Sequence, residues 1–153
     1  MRFRLRWLLI VVGLAGPLLY LVRQIGYEVA YGVDDAYSQW GAADMVIGYM
    51  NDHDGEWPRS WDSLSPYFAD SNGRVSGWSY KKYQERVWID FDANPLDLEK
   101  QALESDRASF NVIDARFTNF MVWGDGPDQQ VHSYFRQRST QSSASSANSA
   151  VNP

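Results

Sequence analysis

The N-terminal part of the chain is dominated by an apolar segment that follows a cluster of arginines. Three arginines fall within the first six residues, and the next 16 residues, 7–22, carry no charge. A helix of that length spans about 24 Å. Snorkelling arginines and interfacial aromatic residues at its two ends extend it toward the ~30 Å of a bilayer core. The segment therefore predicts a membrane anchor over residues 1–30, either ending there or continuing as a longer helix.

The distribution of charge predicts the orientation of this anchor. Arginines precede the apolar run, whereas Glu28, Asp34 and Asp35 follow it, so the positive-inside rule predicts a cytoplasmic N-terminus and an extracytoplasmic C-terminal domain. A cleaved signal peptide is the alternative, because it also has a basic and then an apolar region. The small residues Ala15 and Gly16 precede Pro17, which is unfavourable for cleavage. We therefore expect a single-pass signal-anchor protein of the bacterial inner (cytoplasmic) membrane.

Composition excludes several classes of function. The chain of 153 residues has no cysteine and only two histidines, which excludes disulfides, thiolate metal sites, cysteine nucleophiles and histidine-rich metal centres. Its net charge is −5, so binding of nucleic acid through a basic face is not expected. Aromatic residues make up 15% of the chain, seven of them tryptophan. This content indicates a packed core rather than a disordered chain.

Residues 31–138 have the pattern of an α+β domain. Apolar residues recur at helical spacing up to the polar sequence 51–55, where Gly55 is suited to a positive-φ turn. Residues 87–92 alternate strictly between apolar and polar, as in a strand. The sequence predicts two more strands at residues 110–117 and 118–124, and short helices that begin after Ser60, Ser79, Asn94 and Gly126. The predicted fold is therefore an N-terminal transmembrane helix packed on a small antiparallel sheet with short helices.

The last segment, residues 139–153, has the composition of a disordered tail. It is rich in serine, contains no charged or aromatic residue, and has Val151 as its one strongly apolar residue. Such a segment buries too little surface to offset the entropy of ordering it. We expect it to be dispensable for folding.

Acidic residues provide the candidate metal and catalytic groups. Asp52, Asp54 and Gly55 resemble part of a calcium loop, but an EF-hand would place its first and last ligands on Met50 and Trp61, which cannot bind calcium. A polar turn explains them better. Asp125 and Asp128 flank Gly126 and could help to bind calcium, although an ordinary turn is again the simpler interpretation.

Catalytic interpretations are weaker than structural ones. Asp90 and Asp92 share one face of the predicted strand, and such a pair could serve acid–base chemistry, but exposed carboxylates are usually only solvated. His53 and His132 lack an identifiable nucleophile partner, so each is expected to be structural. Five tryptophans of the domain could form a platform for a ligand or simply fill the core: Trp57, Trp61, Trp78, Trp88 and Trp123. We assign no catalytic, cofactor-binding or metal-binding residue and no cofactor.

The order of these pieces resembles bacterial type IV pilins and type II secretion pseudopilins. An arginine-flanked apolar N-terminus leads into a long helix, which stops at residues 51–58 before the short segment 60–64, and a Gly-Asp-Gly-Pro-Asp loop follows at 124–128. The prepilin cleavage signature is absent. The resemblance implies a pilin-head-like fold with a scaffold role, and the calcium bound by some pseudopilin heads would correspond to Asp125 and Asp128.

These observations favour a non-enzymatic, membrane-anchored envelope protein. We expect it to act as a pilin-head-like scaffold or protein-interaction module whose partners are the membrane and other envelope proteins. The alternative is a small module that binds a sugar or a peptide with exposed tryptophans. A hydrolase is the third possibility. The exposure of the tryptophan rings distinguishes the first two, because a scaffold would bury them in its core.

Overall fold

A computed structural model describes residues 2–71, 77–117 and 125–151 of the chain. Among these residues the elements are six α-helices, one 3₁₀ turn and two short strands. In chain order they are α1 (Arg2–Asp52), α2 (Trp61–Leu64), the 3₁₀ turn (Ser65–Tyr67), α3 (Phe68–Ser71), α4 (Tyr80–Arg86), β1 (Val87–Ile89), α5 (Pro95–Glu104), β2 (Ile113–Ala115) and α6 (Pro127–Val151).

The first helix, α1, is the axis of the molecule. It runs for 51 residues and accommodates Pro17 in its interior. Its described side chains up to Gly26 are mostly exposed, whereas one face becomes buried from Gly32 onward. The C-terminal half of α1 therefore carries the head of the protein. The largely exposed segment at residues 15–26 is called the stem below, and Phe117 of the head lines a surface pocket together with Tyr20, Arg23 and Gln24 of the stem.

Within the described residues, no helix is both long enough and apolar enough to cross a membrane. This finding contradicts the predicted transmembrane helix and the single-pass, signal-anchor membrane protein inferred from it. The physical reason is length, since the uncharged run at residues 7–22 covers about 24 Å, which is less than a hydrocarbon core of about 30 Å.

The predicted α+β class is also wrong, because the described fold is mostly helical and its sheet is small. The sheet consists of β1 and β2 in antiparallel register, with Val87 opposite Ala115 and Ile89 opposite Ile113. Each strand is only three residues long, because a turn at residues 91–92 ends the first alternating pattern early. The predicted strand at 118–124 lies outside the described residues.

The short helices begin where the sequence predicts. The Ser79 side chain caps α4 by accepting a hydrogen bond from the Lys82 amide at 3.3 Å, and Asn94 caps α5 through the Leu96 amide at 3.1 Å. These caps satisfy backbone donors that have no partner within the helix. Pro95 and Pro127 begin their helices, where the missing amide hydrogen has no cost.

One hydrophobic core joins α1 to every other part of the head. Its largest fully buried members are Trp57, Tyr83, Phe135 and the methionines Met45 and Met50. The Trp57 indole donates a hydrogen bond to the Asp90 carbonyl at 2.7 Å, which ties the segment after α1 to the end of β1. Two glycines of α1 permit close packing, since added Cβ atoms at Gly41 and Gly48 would lie 2.8 and 2.9 Å from side-chain atoms of Tyr83 and Tyr67.

The C-terminal segment differs from its predicted disorder. Helix α6 continues through the serine-rich sequence to Val151. Serine, glutamine and alanine carry only small helix penalties, and no proline or glycine interrupts residues 128–151. The Ser139 hydroxyl also donates a hydrogen bond to Glu99 at 2.9 Å. The first residue of the predicted tail therefore contacts the head.

Candidate functional site

A concave surface lies between the C-terminal part of α1 and the middle of α6. It encloses about 570 Å³, within the usual range of ligand pockets. Its lining, called the α1–α6 groove below, consists of Asp44, Ile47, Met50, Asn51, Asp54, Gly55, Asp125, Gln129, Gln130, Ser133, Tyr134, Gln137, Arg138 and Gln141. Core packing of Met50 against the cluster that includes Val131 and Phe135 fixes the two helices that form its walls.

The α6 wall follows directly from helical periodicity. Gln129, Ser133, Gln137 and Gln141 are spaced by four residues, and they form one ridge of the helix. A second ridge carries the other α6 residues of the groove. The opposite face of α6 holds Val131 and Phe135, which are buried in the core. The same periodicity that buries the apolar residues therefore aligns the glutamines along the groove.

The groove is polar and predominantly acidic. Three carboxylates line it, from Asp44, Asp54 and Asp125, against one guanidinium, that of Arg138. The remaining polar groups are amides and hydroxyls, which donate and accept hydrogen bonds without carrying charge. This combination suits a ligand that is cationic and rich in hydrogen-bonding groups.

Gln130 supplies an acceptor that the head leaves unused. Its Oε1 atom is buried and forms no hydrogen bond with the part of the chain that the structure describes. A buried carbonyl without a partner costs about 1–3 kcal/mol. Gln130 also lines the groove, so a rotation of its side chain toward the groove would let a hydrogen-bond donor on a ligand satisfy this atom.

One end of the groove is closed by the turn after α1. Asp54 and Gly55 both adopt positive φ, at 51° and 81°, which confirms the predicted turn and suits glycine. Arg138 donates a hydrogen bond to the Asp54 carbonyl. Its guanidinium lies so close to Gly55 that an added Cβ would overlap it. The glycine is therefore required both for the backbone conformation and for the approach of Arg138.

Below the groove, His132 organises the loop that follows α5. It is buried, its Nε2 lies 3.0 Å from the Ser105 carbonyl, and its Nδ1 lies 3.2 Å from Nε2 of Gln129. Gln129 in turn accepts a hydrogen bond from the Ala108 amide at 2.9 Å. The Ser105 carbonyl can only accept a hydrogen bond, so the imidazole N–H is assigned to Nε2. Nδ1 then accepts a hydrogen bond from Nε2 of Gln129. His132 is therefore buried and contacts the residue that follows α5.

Arg136 completes the attachment of this loop to α6. It donates hydrogen bonds to the Ser105 carbonyl at 3.0 Å and to Asp106 at 2.6 Å. The hydrogen bond from Arg136 lowers the pKa of Asp106, and the charge of Arg136 acts in the same direction. Asp106 is therefore held as a carboxylate that stabilises the loop.

Asp128 connects the start of α6 to β2. Its Oδ1 accepts hydrogen bonds from the amides of Val112 and Ile113, at 2.9 and 3.2 Å. Burial raises the pKa of Asp128 to about 6, although the two amide hydrogen bonds act in the opposite direction. One oxygen of this candidate calcium ligand is therefore committed to the backbone. Within the described residues, no group of three or more potential ligand residues gathers in a metal-binding arrangement.

The candidate catalytic residues do not come together. Asp90 accepts a hydrogen bond from the Asp92 amide at 3.1 Å, which is a local turn contact. His53 is exposed, and its ring stacks on Tyr49 with centroids 3.9 Å apart. His132 is enclosed by Gln129 and Ser105 as described above. The histidines bond to Tyr49, Gln129 and Ser105 rather than to Asp90 or Asp92, so the described geometry offers no nucleophile–base pair among them.

The described tryptophans mainly serve the core. Trp57 and Trp78 are buried, Trp61 is half-buried, and Trp88 is 38% exposed. The fifth candidate, Trp123, lies outside the described residues. Trp40, which the sequence did not single out as a candidate, donates a hydrogen bond to the Asp125 carbonyl at 2.8 Å and so holds the start of α6 against α1. Two of the four described candidates are therefore core residues, and Trp88 is the most exposed of the four.

Sequence reasoning missed the glutamines of the groove. The signal was present as polar residues at four-residue spacing beyond Pro127, but a polar helical face is normally just solvated. These glutamines line a groove only because α1 packs alongside α6. Comparison of the chain with protein-family models, curated proteins and solved structures gave no match.

Proposed function

We propose that the protein is a non-enzymatic scaffold or protein-interaction module that associates with partner helices through its stem. The observation that carries this proposal is the exposure of six apolar side chains between residues 18 and 25. Their exposed fractions range from 55% to 71%, and they are Leu18, Leu19, Tyr20, Leu21, Val22 and Ile25. Contiguous apolar surface of this kind marks interaction sites in proteins.

The geometry of the stem indicates the type of contact. Residues 18–22 are consecutive in a helix, so at about 100° per residue they surround its whole circumference. A helix that is apolar on all sides is covered by more than one neighbour. We therefore propose assembly into a helical bundle, with the head displayed outside it. The general plan of a long helix bearing a small head supports the resemblance to pilins and pseudopilins, and other envelope proteins are the proposed partners.

The absence of cysteine from the chain makes the proposal testable by site-specific cross-linking. Single cysteines at successive positions from Leu18 to Ile25 would be oxidised in the full-length protein and analysed for disulfide-linked species. A specific bundle should give strong cross-linking at some stem positions and weak cross-linking at others, with helical periodicity. Leu103→Cys is the matched control, because Leu103 is an exposed leucine on α5 in the head.

The same experiment can contradict the proposal. Equal cross-linking at every stem position and at Leu103→Cys would indicate nonspecific aggregation. A monodisperse monomer in aqueous buffer, without cross-links, would exclude a bundle formed by copies of this chain. Insertion of the stem into lipid vesicles in preference to self-association would also overturn the proposed helical contacts.

A further inference from the structure

The α1–α6 groove has dimensions that fit a short extended chain. The ridge from Gln129 to Gln141 covers 12 helical steps, or about 18 Å along α6. An extended peptide advances about 3.3 Å per residue, so roughly five residues fit along the ridge. The groove is separate from the stem, and a ligand bound in it would not depend on assembly of the stem.

The side chains of the groove match the chemistry of a peptide backbone. Asn51, Gln137 and Gln141 each carry an amide that both donates and accepts, as each peptide group does. The buried Gln130 Oε1 accepts no hydrogen bond from the described protein and lines the same groove. An N–H group from an extended peptide would provide the donor that this atom lacks once the Gln130 side chain turns toward the groove.

The charge of the groove selects among peptides. Its three carboxylates outnumber its single guanidinium, and that guanidinium already donates to the Asp54 carbonyl. Acidic side chains would repel aspartate and glutamate and attract lysine and arginine. We propose that the α1–α6 groove binds an extended, positively charged peptide segment of a partner protein. The amides hold the peptide backbone, and the carboxylates select its basic side chains.

The direct test uses isothermal titration of the full-length protein with a capped hexapeptide of alternating lysine and serine. The same peptide with glutamate in place of lysine is the ligand control. The lysine peptide should bind and should bind more weakly at high salt, because exposed charge pairs are screened. Absence of binding at millimolar peptide, or equal binding of the glutamate peptide, would overturn the proposal.

Substitutions in the groove distinguish recognition of the peptide's charged side chains from recognition of its backbone. The double variant Asp54→Asn/Asp125→Asn should weaken binding about fivefold at low salt, and asparagine tolerates the positive φ of position 54. The matched control is Asp92→Asn/Glu85→Gln, which removes two exposed charges outside the groove and should leave affinity unchanged. If both double variants weaken binding equally, the attraction is a property of the net charge and the site is not the groove.

Gln130→Met tests the buried acceptor by two measurements, the melting temperature and the affinity for the peptide, which should change in opposite directions. Methionine has a similar volume but no carbonyl, so the variant should raise the melting temperature of the free protein by removing a buried polar atom without a described partner. The same change should weaken peptide binding about threefold to tenfold, because one hydrogen bond is lost. Unchanged affinity would remove Gln130 from the site.

Binding of a neutral oligosaccharide that is insensitive to the charge variants would replace the peptide proposal with a saccharide one.

Discussion

At the scale of single residues, the most demanding feature of the head is a buried ion pair. Asp35 on α1 is fully buried, and Arg86 at the end of α4 donates to both of its carboxylate oxygens, with Nε at 2.8 Å from Oδ1. The guanidinium also lies over the rings of Tyr31 and Phe117. This pair fixes α4 against α1, because a buried carboxylate needs both a counter-charge and hydrogen bonds.

Replacing one partner of this pair should destabilise the head strongly. We expect Arg86→Met to lower the free energy of unfolding by about 3–5 kcal/mol, since it removes the charge that compensates Asp35. Arg59→Met, at an exposed position, should change it by less than about 0.5 kcal/mol. Urea denaturation of both variants measures the difference. If Arg86→Met has no larger effect than Arg59→Met, the ion pair does not stabilise the fold.

Asp128 should make stability depend on pH. Its pKa is about 6 in the folded protein against 3.8 ordinarily, so between pH 4 and 6 the folded state binds more protons than the unfolded state. The contribution of this group is therefore fully present below about pH 4 and is lost as pH rises through about 6. Asp128→Asn keeps the acceptor for Val112 and Ile113 but does not titrate.

The expected result is a difference between two pH values. At pH 4 the melting temperatures of the wild type and of Asp128→Asn should be similar, whereas at pH 7 the variant should melt a few degrees higher. Thermal melts of both proteins across pH 4–7 test this expectation. A wild type that is more stable than the variant at pH 7 would show that the amide donors and the N-terminus of α6 outweigh burial.

At the scale of elements, α1 depends on glycine at the points where tyrosine rings cross it. A Cβ at Gly41 would lie 2.8 Å from Tyr83 Oη and 3.1 Å from a ring carbon, and Tyr83 is fully buried. The ring has little freedom to withdraw because it also contacts Phe68 and Trp78. Helix propensity and packing therefore oppose each other at this position.

We expect packing to prevail at Gly41. Gly41→Ala gains about 1 kcal/mol of helix propensity, but overpacking costs about 1–3 kcal/mol, so the melting temperature should fall or stay level. Gly26→Ala meets nothing within 4 Å and should not destabilise the protein. Circular dichroism melts compare the two substitutions. A clear stabilisation by Gly41→Ala would show that Tyr83 moves aside without cost.

The last helix bonds to the head near its middle and ends in a serine-rich segment with little apolar surface. Arg138 and Ser139 bond to Asp54 and Glu99, and Ser142 bonds to carbonyls of its own helix. Deletion of residues 143–153 should therefore leave the melting temperature within about 2 °C, whereas deletion of residues 138–153 should lower it. A marked drop for the shorter deletion would mean that the distal part of α6 docks on the protein.

At the scale of the whole molecule, the head is stabilised by one aromatic and aliphatic core that spans α1, β1, β2, α5 and α6. Aromatic rings connect the shorter elements to this core, as in the edge-to-face contacts of Trp61 with Tyr80 and Phe91. We therefore expect the head to fold without a bound metal.

We expect the stability of the full-length protein to be independent of calcium. A chelator and millimolar calcium should give the same melting temperature, because Asp128 commits one oxygen to two amides and calcium takes six to eight oxygen ligands. Differential scanning calorimetry measures both conditions. An increase of many degrees with calcium that is abolished by Asp125→Ala would contradict the expectation and would support the pseudopilin resemblance.

The sequence by itself determined much of the local structure. Capping and proline preference predict the helix starts at Ser79, Asn94 and Pro127. Backbone geometry predicts the turn at Gly55, and the alternation of apolar and polar residues predicts the strand at residue 87. These are interactions over a few residues, so the local pattern contains nearly all the information. The sheet is shorter than predicted and α6 is longer, because small differences in turn and helix propensity decide where each element ends. The sequence prediction was wrong at these two places.

Only the tertiary structure decided which of these patterns meet. Asp35 and Arg86 are 51 residues apart, and nothing local indicates that they form a buried pair. The glutamines of α6 are an ordinary polar face until α1 lies beside them and forms a groove. Long-range packing determines each of these outcomes, since it sets which surfaces are buried and which remain available for binding.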